Sequence, residues 1–132
     1  MMQKLLKYQS LTLMWALFIL VICCVSLGKV GESHLFFKGF DKLTHTGLFF
    51  VLTVLTFYGL FRKQRSVNLS GPFFVVVLFC MFLFGGAIEL LQWKIFTYRS
   101  AEWDDLFCDV LGSLMGIFSI LVTTHAIQAQ KQ

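Results

Sequence analysis

Four short segments hold the side chains capable of chemistry: Asp41-Lys42-x-x-His45, Glu89-x-x-Gln92, Arg99, and Asp105-x-x-x-Asp109. Asp41 and His45 are four apart, so on a helix they share a face with Lys42 at its flank. Asp41 suits a helix N-terminus, where an acid complements the macrodipole and caps free amides, and Lys42 suits snorkelling to headgroups. His45 lies a turn deeper, as a donor to a neighbouring helix or a proton-transfer group. Glu89 follows a long apolar run and Gly85-Gly86. An ionised carboxylate at that depth costs a few kcal/mol unless paired, so it must face protein or hold a proton. It is either a functional group or a pin between helices, with Arg99, Lys42 or His45 as partner. Arg99 offers a flat fork of donors for a carboxylate or a phosphate, and so either clamps an anionic headgroup or neutralises the acids.

These residues leave several chemistries open. Glu89 or His45 could act as acid or base, with Asp105 and Asp109 organising water or a cation. Carboxylates beside a histidine could bind a divalent cation, although no H-E-x-x-H or comparable ligand spacing is present, and no other cofactor is evident. No G-x-S-x-G or Cys–His arrangement marks a nucleophile.

The elements that must position these groups are membrane helices. The 132 residues are 58% hydrophobic with 16 Phe and only 14% charged. A single small domain cannot cover that much apolar surface, so lipid is its solvent. Charge-poor stretches run over Leu11–Leu27, Leu43–Phe61, Pro72–Trp93 and Trp103–Thr124. Each is near the ~20 residues that cross a hydrocarbon core, and none alternates like a barrel strand. The expectation is an all-α integral membrane bundle of four transmembrane helices, one domain over residues 1–132. The first stretch is read as a retained helix, since Val25-Ser26-Leu27-Gly28 makes a poor cleavage site and Ile22 disfavours lipid attachment at Cys23. Cys23, Cys24, Cys80 and Cys108 all fall in apolar stretches and read as packing residues, with no disulfide framework or zinc ribbon. Pro72 opens the third stretch, where its missing N–H costs a helix least.

Charge supplies an orientation. Lys4, Lys7, Arg62, Lys63, Arg65 and Lys131 lie on one side of the inferred bilayer with no acid among them. The other side has Lys29, Lys38, Lys42, Lys94 and Arg99 against all seven acids, a net of −2. The Arg62–Arg65 cluster places the first side, and both termini, in the cytoplasm. The net charge of +4 is thus a topology device, and no basic stripe with interleaved aromatics indicates nucleic acid.

On the fourth stretch Asp105, Asp109, Gly112 and Gly116 share about a 60° arc at 100° per residue. Gly112-x-x-x-Gly116 is a small-residue face for close helix contact, and the two acids above it should point into the bundle. Glu102 and Asp104 lie nearer water.

In order, Asp41-Lys42-x-x-His45, Glu89-x-x-Gln92, Arg99 and Asp105-x-x-x-Asp109-x-x-Gly112-x-x-x-Gly116 resemble the signature of the VanZ-like membrane proteins, from about residue 40 to 118. That family is small, multi-helical and bacterial, and its name comes from a protein linked to teicoplanin resistance. The resemblance implies a multi-pass protein of the bacterial cytoplasmic membrane. It also implies an outer-face site for a lipoglycopeptide, a lipid-linked wall precursor or another surface lipid, held by Asp41, Lys42, His45, Glu89, Gln92, Arg99, Asp105 and Asp109. Two positions depart from the pattern: Asp109 stands where Asn is usual, and Thr97-Tyr98 replaces a proline often found before the arginine. Three functions follow: a binder or modulator of a headgroup with Arg99 and Lys42 as anion contacts, an enzyme acting on one through Glu89 or His45, or a purely structural polar network. Oligomeric state is open.

Overall fold

The computed structural model describes residues 7–24, 39–63, 70–95 and 102–130. They form four α-helices: α1 (Ser10–Cys24), α2 (Phe40–Lys63), α3 (Gly71–Ile95) and α4 (Trp103–Ala129). Three of them, α2, α3 and α4, are long and apolar enough to cross a membrane. At 1.5 Å per residue they span about 36–40 Å, more than the ~30 Å of a hydrocarbon core. The all-α, multi-span reading of the sequence therefore stands.

Helix boundaries differ from the apolar stretches in an informative way. α2 starts at Phe40 rather than Leu43, so Asp41 and Lys42 are helical, and α4 continues past Thr124 to Ala129. Hydropathy marks where hydrocarbon ends, whereas a helix runs on into the headgroup layer while its side chains permit. α1 is a 15-residue apolar helix, shorter than the other three. Val25–Leu27 lie outside the described residues. Pro72 occupies the first turn of α3, where Ser70 accepts from the amides of Phe73 and Phe74 instead.

Side-chain contacts fix the directions of the helices. At one end the Gln92 amide of α3 reaches the Cys23 carbonyl of α1, and Glu89 meets the start of α4. Lys42 and His45 of α2 meet Glu102, Asp104 and Asp109 there. At the opposite end Gln9 donates to the Thr56 carbonyl, and Phe57 packs against Phe61, Phe73 and Phe74. Hence α2 and α4 run parallel, and α1 and α3 run the other way.

The most extensive helix contact is α2 with α4, which are not sequence neighbours. Its cause is the glycine pair. A Cβ on Gly112 would collide with the Thr46 carbonyl, and one on Gly116 would stand 2.8 Å from the Thr53 Cβ. Three hydroxyls are satisfied locally, Thr46, Thr56 and Ser113 donating to the carbonyl four residues back, while buried Thr53 Oγ1 has no partner among the described residues. The apolar core is modest and gathers around Ile19, Phe49, Leu52, Phe57, Met81, Ile88 and Ile117. Many large apolar side chains, Val75, Phe79, Leu83, Phe107, Leu114 and Phe118 among them, face outward as a lipid-solvated bundle requires.

Gly112→Ala should therefore drive the Thr46 backbone away, at a cost of about 1–3 kcal/mol from overpacking. Gly86→Ala, where a Cβ meets nothing within 4 Å, should leave stability unchanged or slightly raised. Thermal unfolding of the two variants in detergent, followed by size-exclusion fluorescence, measures the difference.

Candidate functional site

The glycine contact sets the site. Once α2 and α4 touch at Thr46 and Gly112, His45 just before the first and Asp109 a turn before the second face each other. His45 Nδ1 and Asp109 Oδ1 are 2.9 Å apart, and both side chains are almost wholly buried. His45 Nε2 looks toward Asp105 Oδ2 at 3.8 Å, too long for a hydrogen bond. Asp41, one turn above His45, brings a carboxylate oxygen to the same place. One ligand atom from each of Asp41, His45 and Asp105 lies within 4.8 Å of the others.

Lys42 closes the mouth of this cluster. Its Nζ is 3.1 Å from Asp104, 3.5 Å from Glu102 and 3.8 Å from Asp105. Glu102 and Asp104 are exposed, as expected from their position, but they also act together as the seat of Lys42. This engagement competes with a role for Lys42 as an anion contact. Surface pairs of this kind contribute little to stability, so the main effect is to set charge and position.

Glu89 is 6% exposed and belongs to the same end of the bundle, close enough for charge interaction with His45, Asp105 and Asp109. Its Oε2 accepts the Glu102 backbone N–H at 3.0 Å, which anchors the start of α4 to α3. Its Oε1 has no hydrogen-bond partner among the described residues, and the same is true of Asp105 Oδ1 and Asp109 Oδ2. Gln92 is 1% exposed, and its Nε2 donates to the Cys23 carbonyl at 2.9 Å. That bond occupies an amide the sequence offered as a ligand contact. Arg99, the remaining candidate, lies outside the described residues.

The structure thus brings together Asp41, Lys42, His45, Glu89, Asp105 and Asp109, and sets Gln92 against α1. Sequence reasoning missed two features. One is the seat of Lys42 on Glu102 and Asp104. Its signal was available, because Asp41-Lys42 and Asp104-Asp105 both stand in the first turns of helices that start at the same face. The other is a groove of about 560 Å³ lined by Phe82, Gly86, Glu89, Leu90, Trp93, Glu102, Trp103 and Leu106. Its walls are mostly apolar side chains of α3 and the start of α4, and Gly86 opens it by lacking a side chain.

A helical chain with several apolar spans around a buried His/Asp network is a polytopic membrane protein that keeps polar groups inside and hydrocarbon outside. The chain belongs to the VanZ/LLP1 family, whose match covers residues 3–124 and so takes in α1 as well as the motif-bearing helices. Comparison with curated proteins and with solved structures gives no match.

The Gln92 bond makes a specific expectation. Gln92→Leu removes about 1 kcal/mol of hydrogen bonding and leaves the end of α1 less firmly held. Cys23, only 4% exposed, should then react several-fold faster with a membrane-permeant maleimide when the other three cysteines are replaced. An unchanged rate would mean that α1 is held by apolar packing alone.

Proposed function

We propose that this protein is an envelope membrane protein that captures the headgroup of a lipid-linked molecule at its acidic face, in the bacterial cytoplasmic membrane. The observation that carries the reading is the groove between α3 and α4. Phe82, Leu90, Trp93, Trp103 and Leu106 suit an acyl or polyprenyl chain, and Glu89 and Glu102 stand where a headgroup would emerge. A lipid entering sideways from the bilayer leaves its apolar part in a medium like its own. Only the headgroup then exchanges water for protein.

The polar groups in reach are mostly acceptors. Glu89 offers an oxygen with no partner among the described residues, and Lys42 is engaged by three carboxylates. The fitting headgroup therefore presents hydroxyl or amine donors, as glycolipids and wall precursors do. An anionic group would depend on Arg99 for its contact. The orientation that goes with this has the termini and Arg62–Arg65 in the cytoplasm and the site outside.

A second reading keeps the same ligand and adds turnover. Glu89, buried with one oxygen unpartnered among the described residues, is a candidate acid or base, with His45 held in a fixed orientation by Asp109 and Asp105 nearby.

Extraction of the purified protein followed by lipid mass spectrometry separates these readings. The wild-type protein should retain an outer-leaflet lipid, and Gly86→Leu, which fills the groove, should lose it several-fold without loss of monodispersity. Glu89→Gln should weaken retention as well. Chemically altered lipid after incubation indicates the enzyme, and unchanged retained lipid the binder. Equal retention by Gly86→Leu and wild type would overturn the groove reading and leave the polar cluster as a helix-joining network. Separately, Asp41→Cys should label from outside with an impermeant maleimide while Lys63→Cys should not.

A further inference from the structure

We propose that Asp41, His45 and Asp105 form a binding site for a divalent first-row metal cation. The proposal is independent of the lipid groove, which lies between α3 and α4 and shares none of these three residues.

The first support is the tautomer of His45. Its Nδ1 is taken by Asp109 at 2.9 Å, and a carboxylate there calls for the N–H on that nitrogen. Nε2 then carries the lone pair. In the neutral ring it points toward Asp105 Oδ2 at 3.8 Å, and a proton or a metal cation between the two acceptors would relieve their repulsion. A carboxylate behind a histidine whose other nitrogen faces further ligands is the arrangement that orients metal-binding imidazoles.

The second support is the state of Asp105. The residue is 2% exposed, and its Oδ1 has no hydrogen-bond partner among the described residues. Among the described residues Lys42 Nζ stands 3.8 Å away and sits closer to both Asp104 and Glu102. A buried carboxylate left in this way carries a desolvation penalty, and a divalent cation is a charge that would offset it.

The third is spacing. The three ligand atoms lie within 4.8 Å of one another. Atoms each about 2.0–2.2 Å from one cation sit roughly 3–4 Å apart, so a small inward movement completes the set. Exposed Asp41 can make that movement, while buried His45 and Asp105 stay in place. One imidazole with two carboxylates suits Zn²⁺ or Mn²⁺ better than Ca²⁺, which wants six or more oxygens, or Cu⁺, which wants sulfur. Three protein ligands leave at least one position for water or a ligand oxygen.

The test uses the full chain in detergent, stripped with a chelator and dialysed. It is then titrated separately with Zn²⁺, Mn²⁺ and Ca²⁺, with bound metal read by elemental mass spectrometry and unfolding by heat. The wild-type protein should take up Zn²⁺ or Mn²⁺ in a stoichiometric amount and unfold at a higher temperature when loaded. Asp41→Asn alters an exposed side chain, so it should fold normally and bind at least about ten-fold more weakly. Asp105→Asn should do the same, and Asp109→Asn, which meets the proposed site through the far nitrogen of His45, should weaken binding about 10–100-fold. Gly86→Leu should bind metal like the wild type whatever it does to lipid. Equal uptake by wild type, Asp41→Asn and Asp105→Asn would overturn the site, and so would substoichiometric uptake by the wild type. Should Asp105→Asn fail to fold, Asp41→Asn alone decides.

Discussion

The backbone-to-backbone approach of α2 and α4 is the constraint on which the rest of the molecule depends. Gly112 gives the Thr46 carbonyl a place to lie, and Gly116 does the same for Thr53. In lipid there is no hydrophobic drive between helices, so close van der Waals contact at small residues must supply association. The same contact fixes the axial register of two helices that are not joined directly. With that register set, His45 meets Asp109 rather than a lipid tail, and Lys42 meets Asp104 rather than water alone. Displacing either helix by one turn, about 5.4 Å, would leave buried acids opposite apolar side chains.

Much of this was legible in the sequence because it rests on periodicity and on scarcity. Ionisable residues are few in apolar stretches, so Asp41, His45, Glu89, Asp105 and Asp109 stood out by type alone. The 100° rule put Asp105, Asp109, Gly112 and Gly116 on one stripe, and in the structure all four are buried on the α4 face toward α2. Gln92 shows where such reasoning ends. Its type and position matched those of a ligand contact, yet its amide ends on a carbonyl of α1. No local pattern can reveal which backbone oxygen a distant helix will present. The groove is invisible for a similar reason. Phe82, Gly86, Leu90 and Trp93 follow helical spacing like any apolar face, and only the gap between α3 and α4 makes them a wall.

The cluster also raises a question of electrostatic cost, and helix direction answers part of it. Because α2 and α4 are parallel, their N-termini sit side by side at the acidic end. Each carries roughly half a positive charge from aligned peptide dipoles. Two such ends would repel each other if left alone. The chain puts Asp41 in the first turn of one and Asp104 and Asp105 in the first turn of the other. Carboxylates there ease the repulsion between the helices, and the helix ends in turn make the carboxylates less costly. The opposite ends of α2 and α4 carry no such cluster, and α2 finishes on Arg62 and Lys63, which complement its negative pole.

This balance bears on Asp109, which differs from an asparagine of the same shape by the substitution of a charged oxygen for an amide. Asp109 lies more than a turn inside α4, beyond the main reach of the helix end, and is 1% exposed. An asparagine there would offer a neutral oxygen to His45 and an amide to some other acceptor, and would place no charge in the bundle. An aspartate gives His45 a charged acceptor, at the cost of burying Oδ2 near the backbone of Gly85 without a hydrogen bond among the described residues. That trade is favourable when His45 has a use for a stronger acceptor behind it. A histidine backed by carboxylate is a better base and a better ligand than one backed by an amide, because charge drawn off Nε2 is compensated at Nδ1. In a purely structural network the substitution would add cost without return. In a site that holds a cation or moves a proton it strengthens the one nitrogen that faces the other acids.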